Sequence, residues 1–180
     1  AVDSLYAKLG DKVKENVSLA PYTSARIGGP ADVLIAAESA DELARIIKLL
    51  WKLDLDFIML GGGSNVLVSD KGVRGVVMLN RAKSVRFHNG DQPTVTAESG
   101  VVFSNLANRC ASKGFSGLEW AATVPGTIGG AVYGNAGAFA FHFDALHRDT
   151  SDYAIPGFPE SAALMAEHGG SLNPGCRLRQ

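Results

Sequence analysis

The chain has 180 residues, 46% of them apolar, enough for one domain or two small lobes around a real core. Its 17 Lys and Arg against 18 Asp and Glu leave no basic excess, which argues against a dedicated nucleic-acid surface. No apolar run approaches the roughly 18 residues of a membrane span, and the amphipathic start "AVDSLYAKLG" lacks the pattern of a signal peptide. Cys110 and Cys176 are the only cysteines, far apart and without metal-type spacing, so neither a disulfide scaffold nor a metal site is expected. Two free thiols fit a reducing cytoplasm.

In chain order, "ADVLIAA" (31–37) reads as a strand. Ser39 and Glu42 have capping-box spacing, and Leu43, Ile46, Ile47 and Leu50 then form one apolar helical face. "DFIML" (56–60) reads as a second strand, so this stretch predicts a βαβ unit with parallel pairing. "NVLVSD" (65–70) and "GVVMLN" (75–80) are short β-rich runs. "SVRFHNGDQPTVTAES" (84–99) predicts a hairpin turning at Asn89-Gly90. A helix is expected over Phe103–Lys113, with Phe103, Leu106, Ala107 and Cys110 on its buried face and Gly114 at its end. From Gly114 to Gly137 glycine recurs and no clean period survives. Beyond Phe139 the text changes character. Pro156, Pro159 and Pro174 interrupt it, "SAALMAEHGG" offers one or two helical turns, and 140–180 reads as a divergent tail or the remnant of a following region.

Glycine is the unusual number, 21 of 180, above the average of about 7%. "LGGGSNVLVSD" (60–70) places Gly61, Gly62 and Gly63 at the end of an apolar strand. Without Cβ atoms, successive N–H groups can converge into a nest that binds anions, phosphate above all. Ser64 and Asn65 add side-chain donors at its rim. The alternative is a tight turn between strands. A P-loop would close on Gly-Lys-Ser/Thr, and no Lys stands there. A Rossmann loop would open into a helix, whereas this one runs into Val66-Leu67-Val68. The expectation is therefore a phosphate cradle between strands.

A second cluster, "VPGTIGGAVYGNAGAF" (124–139), has the same chemistry with more room. Pro125 fixes the entry angle, and Gly126, Gly129 and Gly130 let backbone approach a ligand. Thr123, Thr127 and Asn135 supply polar contacts in an apolar lining, which suits a large flat cofactor. The alternative is glycine packing between helix and sheet.

These residues match a known pattern. "APYTSARIGGPAD" (20–32), "LGGGSNVLVSD" (60–70), "SGLEWAATVPGTIGGAV" (116–132) and "GNAGAF" (134–139) stand in the same order and spacing as in one family. From about Asn16 to Phe139 the chain resembles the UDP-N-acetylenolpyruvoylglucosamine reductase (MurB) family of bacterial peptidoglycan synthesis. The resemblance implies an α+β FAD-binding domain of the vanillyl-alcohol-oxidase/PCMH type, made of two small lobes with FAD between them. It implies residues 1–139 as that domain, with a lobe boundary near 80–84. The loop from Gly61 to Val66 would hold the pyrophosphate, and the segment from Thr123 to Asn135 would lie along the diphosphate and flavin. It also implies NADPH as hydride donor and a UDP-amino-sugar enolpyruvyl ether as the small-molecule substrate, reduced to UDP-N-acetylmuramate with a proton from a serine. The family's substrate-binding domain has no room here, and its catalytic arginine and serine motifs have only partial echoes at Arg148 and Ser171. Catalytic residues therefore stay unassigned. A non-catalytic flavin-binding fragment and another flavin oxidoreductase of the superfamily are the alternatives.

The remaining chemistry-bearing residues are read as structural. His88, His142, His147 and His168 do not make a metal set. Cys110 sits on an apolar helical face, and Trp51 and Trp120 read as packing. Arg26 either reaches a phosphate or is a solvated charge.

Overall fold

The structure, a computed structural model, describes residues 2–90, 93–134, 136–138 and 141–142. The tail reading, "SAALMAEHGG", Asn135, Arg148, Ser171 and Cys176 lie outside the described residues. Among the described residues no helix is long and apolar enough to cross a membrane.

The first unit begins with helix α1 (Val2–Leu9) and strand β1 (Val13–Ser18). Strand β2 (Pro30–Ala37), helix α2 (Ala40–Lys52), strand β3 (Phe57–Leu60) and strand β4 (Val73–Asn80) follow. They make a mixed sheet in the order β1-β2-β4-β3, with β1 antiparallel to β2 and the other pairs parallel. The expected strand–helix–strand unit exists, but its two strands do not pair: β4 inserts between them. The reason is composition. Val76 to Leu79 are all buried, so the later strand is apolar on both faces and takes the central position. Ile58 and Met59 on β3 are half-exposed, as an edge strand allows.

Ser39 caps α2 as its spacing predicts, its Oγ accepting the N–H of Glu42 at 3.2 Å. Glu42 departs from the reciprocal box. Its Oε2 accepts the N–H of Glu38 at 2.8 Å, one residue before the cap, and Oε1 pairs with Lys12. Ile46 and Leu50 are fully buried beneath β2 and β4, with Leu43 and Ile47 partly buried beside them. Burying each such side chain stabilises the fold by about 1.5–3 kcal/mol. The backbone hydrogen bond from Glu38 and the contact with Lys12 hold the Glu42 carboxyl below its ordinary value of 4.5. A depressed carboxylate contributes stability that is complete above its unfolded pKa and lost as pH falls through the lower folded value. Glu42→Gln is therefore expected to flatten the acid side of the stability profile below about pH 4.5. Urea melts of both proteins across pH 3–6 check it.

The predicted strand over 65–70 is absent. Asn65 to Ser69 form an irregular loop in which Leu67 is 83% exposed. Val66 and Val68 are β-branched, but among the described residues no strand pairs with this segment, and pairing decides.

The second unit opens with a hairpin of β5 (Val85–His88) and β6 (Thr94–Ala97). His88 pairs with Thr94, so Asn89-Gly90 begin a five-residue connection rather than forming a two-residue turn. Helix α3 (Phe103–Ser112) lies where expected, and its two buried rows serve two clusters. Phe103 and Ala107 pack on Trp120, Ala121, Val124 and Ala131, while Leu106 and Cys110 pack on Val101 and Phe115. Gly114, φ 78°, ends the helix in the left-handed region. Trp120 meets Phe103 edge-on at 5.4 Å, as a packing residue should. Trp51, at the end of α2, is instead 43% exposed. The glycine-rich segment without a period holds a 3-10 turn (Glu119–Thr123) and a short helix α4 (Ile128–Tyr133). Strands β7 (Gly137–Ala138) and β8 (Phe141–His142) form a small antiparallel pair after it.

Candidate functional site

The carboxyl ends of β2, β4 and β3 lie on one edge of the sheet, because Leu60 pairs with Leu79 and Ala37 with Asn80. Gly61 follows β3 there and Arg81 follows β4. Crevices at such edges are where open α/β sheets hold ligands.

Gly63, φ 63°, is buried. A Cβ on it would stand 2.1 Å from the carbonyl oxygen of Tyr22, so only glycine fits. Its carbonyl accepts the N–H of Ser24 at 2.9 Å, which ties the glycine loop to the loop at 23–27. Thr23 rigidifies that loop, its buried hydroxyl donating to the carbonyl of Ile27 at 2.8 Å. No acceptor among the described residues takes the N–H groups of Gly61, Gly62, Gly63, Ser64, Asn65 or Val66. Buried backbone donors are nearly always paired, so the buried Gly63 is the informative one, while Gly62, Ser64, Asn65 and Val66 are exposed and open to solvent or a ligand. A run of free ones at a glycine turn is the arrangement that receives an anion.

The two glycine clusters, more than sixty residues apart in sequence, abut. A Cβ on Gly61 would stand 2.5 Å from Thr127 Oγ1, one on Gly62 3.4 Å from Gly126 Cα, and one on Gly126 2.6 Å from Ser64 Oγ. Gly126 has φ 102°. Parts of the second cluster are structural. The N–H groups of Ile128 and Gly129 donate to the carbonyls of Val101 (2.9 Å) and Ser99 (2.8 Å). Thr127 is buried and caps α4, accepting the N–H of Gly130 at 3.4 Å. Thr123 and Pro125 are exposed beside it.

A cleft of about 370 Å³ opens beside the first glycine loop, lined by Pro21, Tyr22, Thr23, Ser24, Arg26, Gly61, Gly62 and Arg81. It contains two guanidinium groups and no carboxylate. Neither arginine forms an ion pair among the described residues. Arg81 is half-buried, its guanidinium 5.9 Å above the Tyr22 ring and its N–H anchored on the carbonyl of Ala37 at 2.7 Å. Arg26 is exposed with φ 56°, a left-handed conformation that a non-glycine residue adopts at a cost and that clusters at functional sites. Of the two readings of Arg26, its place in this cleft supports the phosphate one. Sequence reasoning missed Arg81, Tyr22 and Ser24. Only the strand register reveals Arg81, because it alone puts residue 81 next to Gly61.

FAD has a dianionic pyrophosphate and a long dinucleotide shape. The free N–H run, the two arginines and the cleft at the strand ends fit such a group. Comparison with known proteins agrees. Residues 31–153 match the family described as FAD binding domain. UDP-N-acetylenolpyruvoylglucosamine reductase from Rubrobacter xylanophilus is 42% identical over 137 residues, 76% of this chain and 46% of that protein. The enzyme of that name from Bacillus subtilis is 46% identical over 128 residues, 71% of this chain and 42% of the relative. The chain thus spans less than half the length of the curated relatives it matches. Among solved structures, the UDP-N-acetylenolpyruvylglucosamine reductase (MurB) of Thermus caldophilus superposes with a TM-score of 0.55 at 30% identity, covering 71% of this chain and 44% of that one. Alkyldihydroxyacetonephosphate synthase shares the fold at 20% identity, TM-score 0.55, covering 76% of this chain and 29% of its own. The α+β architecture of two small lobes is that of the PCMH/vanillyl-alcohol-oxidase type, and the chain belongs to the FAD binding domain family, carrying the FAD-binding portion found in the MurB reductases.

Proposed function

We propose that the chain binds FAD across its two lobes and forms the flavin-holding part of an NADPH-linked reductase. The enzyme would convert UDP-N-acetylglucosamine enolpyruvate to UDP-N-acetylmuramate for peptidoglycan synthesis in the bacterial cytoplasm. Residues 1–139 form the FAD-binding unit in this reading, with the lobes meeting near 80–84. The observation that carries it is the run of unpartnered N–H groups from Gly61 to Val66, set against Gly126 and flanked by Arg26 and Arg81.

The chain's own groups bind and orient. Gly61, Gly62, Gly63, Ser64, Asn65 and Val66 donate to the pyrophosphate, and Arg26 and Arg81 neutralise its charge. Gly126 and Thr127 pack directly against Gly61 and Gly62 and so shape the loop that grips the pyrophosphate, and Thr123, Pro125, Gly129 and Gly130 would lie along the remainder of the cofactor. FAD, when bound, supplies the hydride chemistry, while the protein supplies position and electrostatics. The same groups also fit a second reading, a flavin-binding module without turnover, because those that line the cleft are of the kind that bind and orient a phosphate.

The test is spectroscopic. The purified chain reconstituted with FAD is expected to show a bound-flavin absorbance spectrum, and addition of NADPH is expected to bleach it. Colour without bleaching selects the module, and failure to retain FAD overturns both.

A further inference from the structure

Outside the cleft, a carboxylate ties the two units together. Glu98, just after β6, sends Oε1 to the N–H of Ala40 at 2.9 Å and Oε2 to the N–H of Ser84 at 2.7 Å. Its own N–H donates to the Ser84 carbonyl at 2.9 Å. Ala40 is the first residue of α2, so its N–H is one of the helix's orphan donors. Ser39 serves the donor of Glu42 and leaves this one unmet. Glu98 therefore caps, from 58 residues away, the helix that backs the first sheet. A negative group there also complements the helix dipole.

The next two residues extend the link. Ser99 Oγ accepts from Asn80 Nδ2 at 2.8 Å, at the carboxyl end of β4. The Ser99 carbonyl accepts the N–H of Gly129 at 2.8 Å, inside the second glycine cluster. Gly100 is buried, and a Cβ on it would stand 2.6 Å from the Ala82 carbonyl oxygen and 2.7 Å from Asn80 Oδ1. Residues 98–100 are thus locked to α2 and to 80–84 on one side and to Gly129 on the other. Gly126, three residues before Gly129, is the one that meets Gly62 of the first glycine loop.

We propose that Glu98 is a positioning residue for the cofactor: by holding the start of α2 and Ser84 in one carboxylate, it sets the relative placement of the two glycine loops. The claim rests on the FAD-binding reading above. The two backbone hydrogen bonds also hold the Glu98 carboxyl below its ordinary value, with a smaller contribution from Arg86, so the strut is ionised at neutral pH. A carboxylate accepts at both oxygens. Glutamine offers a donor where one of the two N–H groups already points, so it cannot replace both bonds.

Ser39→Ala provides the control, because it uncaps the same helix without touching the strut. Glu98→Ala, Glu98→Gln and Ser39→Ala are compared as the full chain. Both Glu98→Ala and Ser39→Ala are expected to lower Tm by about 2–4 °C. Only the two Glu98 variants are expected to weaken FAD, by about tenfold, and to speed hydrogen exchange at the Ile128 and Gly129 amides. The proposal is overturned if the Glu98 variants bind FAD within twofold of wild type, or if Ser39→Ala weakens it as much. Should wild type bind no FAD, the functional reading fails and the exchange rates alone decide. Unchanged exchange at Gly129 in Glu98→Gln then overturns the strut.

Discussion

Gly62→Val is expected to weaken FAD binding by at least tenfold while leaving Tm within a few degrees of wild type. Gly62 is exposed and is not in the left-handed region. A Cβ there meets Gly126 Cα at 3.4 Å and Thr127 Cγ2 at 3.7 Å, ordinary contact distances. The fold therefore tolerates a side chain at 62, and what is lost is close approach of a ligand to the backbone. Gly63→Ala behaves differently. Its Cβ would overlap the Tyr22 carbonyl oxygen at 2.1 Å and crowd Thr23 Cα at 2.9 Å, at φ 63°. The dihedral alone costs about 1–2 kcal/mol. Displacing the Tyr22–Thr23 backbone raises the expected loss of stability to about 2–4 kcal/mol, with FAD affinity lost alongside. Neighbouring glycines thus separate recognition from folding. Flavin-fluorescence titrations paired with thermal melts read both. Unchanged affinity in Gly62→Val would make the glycine loop an ordinary bend.

What could be read from the sequence was local. The capped, periodic α2 and the buried face of α3 follow from spacings of three and four, and a helix satisfies its backbone within itself. The β5–β6 pair is adjacent in the chain, so its hairpin was legible too. The features that escaped depend on partners distant in sequence. The insertion of β4 between β2 and β3 is a competition among strands for the central position. The loop at 65–69 shows β propensity without a strand to pair with. α4 begins at Ile128 behind a Thr127 cap, but Gly129 and Gly130 in its first turn erase the apolar signal and lower helix propensity. The glycine loops were legible as candidate anion sites because glycine in series has few structural uses. Their mutual contact was not, and neither was the division of labour within the second loop, where Gly129 packs on Ser99 and Thr127 caps a helix. Arg81 is an unremarkable residue in the text "LNRAK", and its place depends on register.

That register makes Arg81 the second test. Its backbone is anchored on Ala37 and its guanidinium lies over Tyr22, an arrangement worth about 0.5–1 kcal/mol that limits the side chain's freedom before any anion arrives. Charge-assisted hydrogen bonds contribute about 1.5–3 kcal/mol each, so Arg81→Ala is expected to weaken FAD by about 10–100-fold. Arg26→Ala is expected to cost less, because Arg26 is exposed and its charge is screened by solvent. The same argument fixes the salt dependence: raising ionic strength weakens wild type more steeply than Arg81→Ala, since the variant has one charge fewer to screen. Arg81→Lys keeps the charge but loses the planar fork that grips two phosphate oxygens, and it is expected to fall between the two. ADP, which has the diphosphate without the flavin, is expected to compete with FAD in wild type and to lose affinity with Arg81→Ala in the same proportion. Equal affinities for FAD in wild type and Arg81→Ala, at low and high salt alike, would remove Arg81 from the site and leave the glycine loop to hold the phosphates alone.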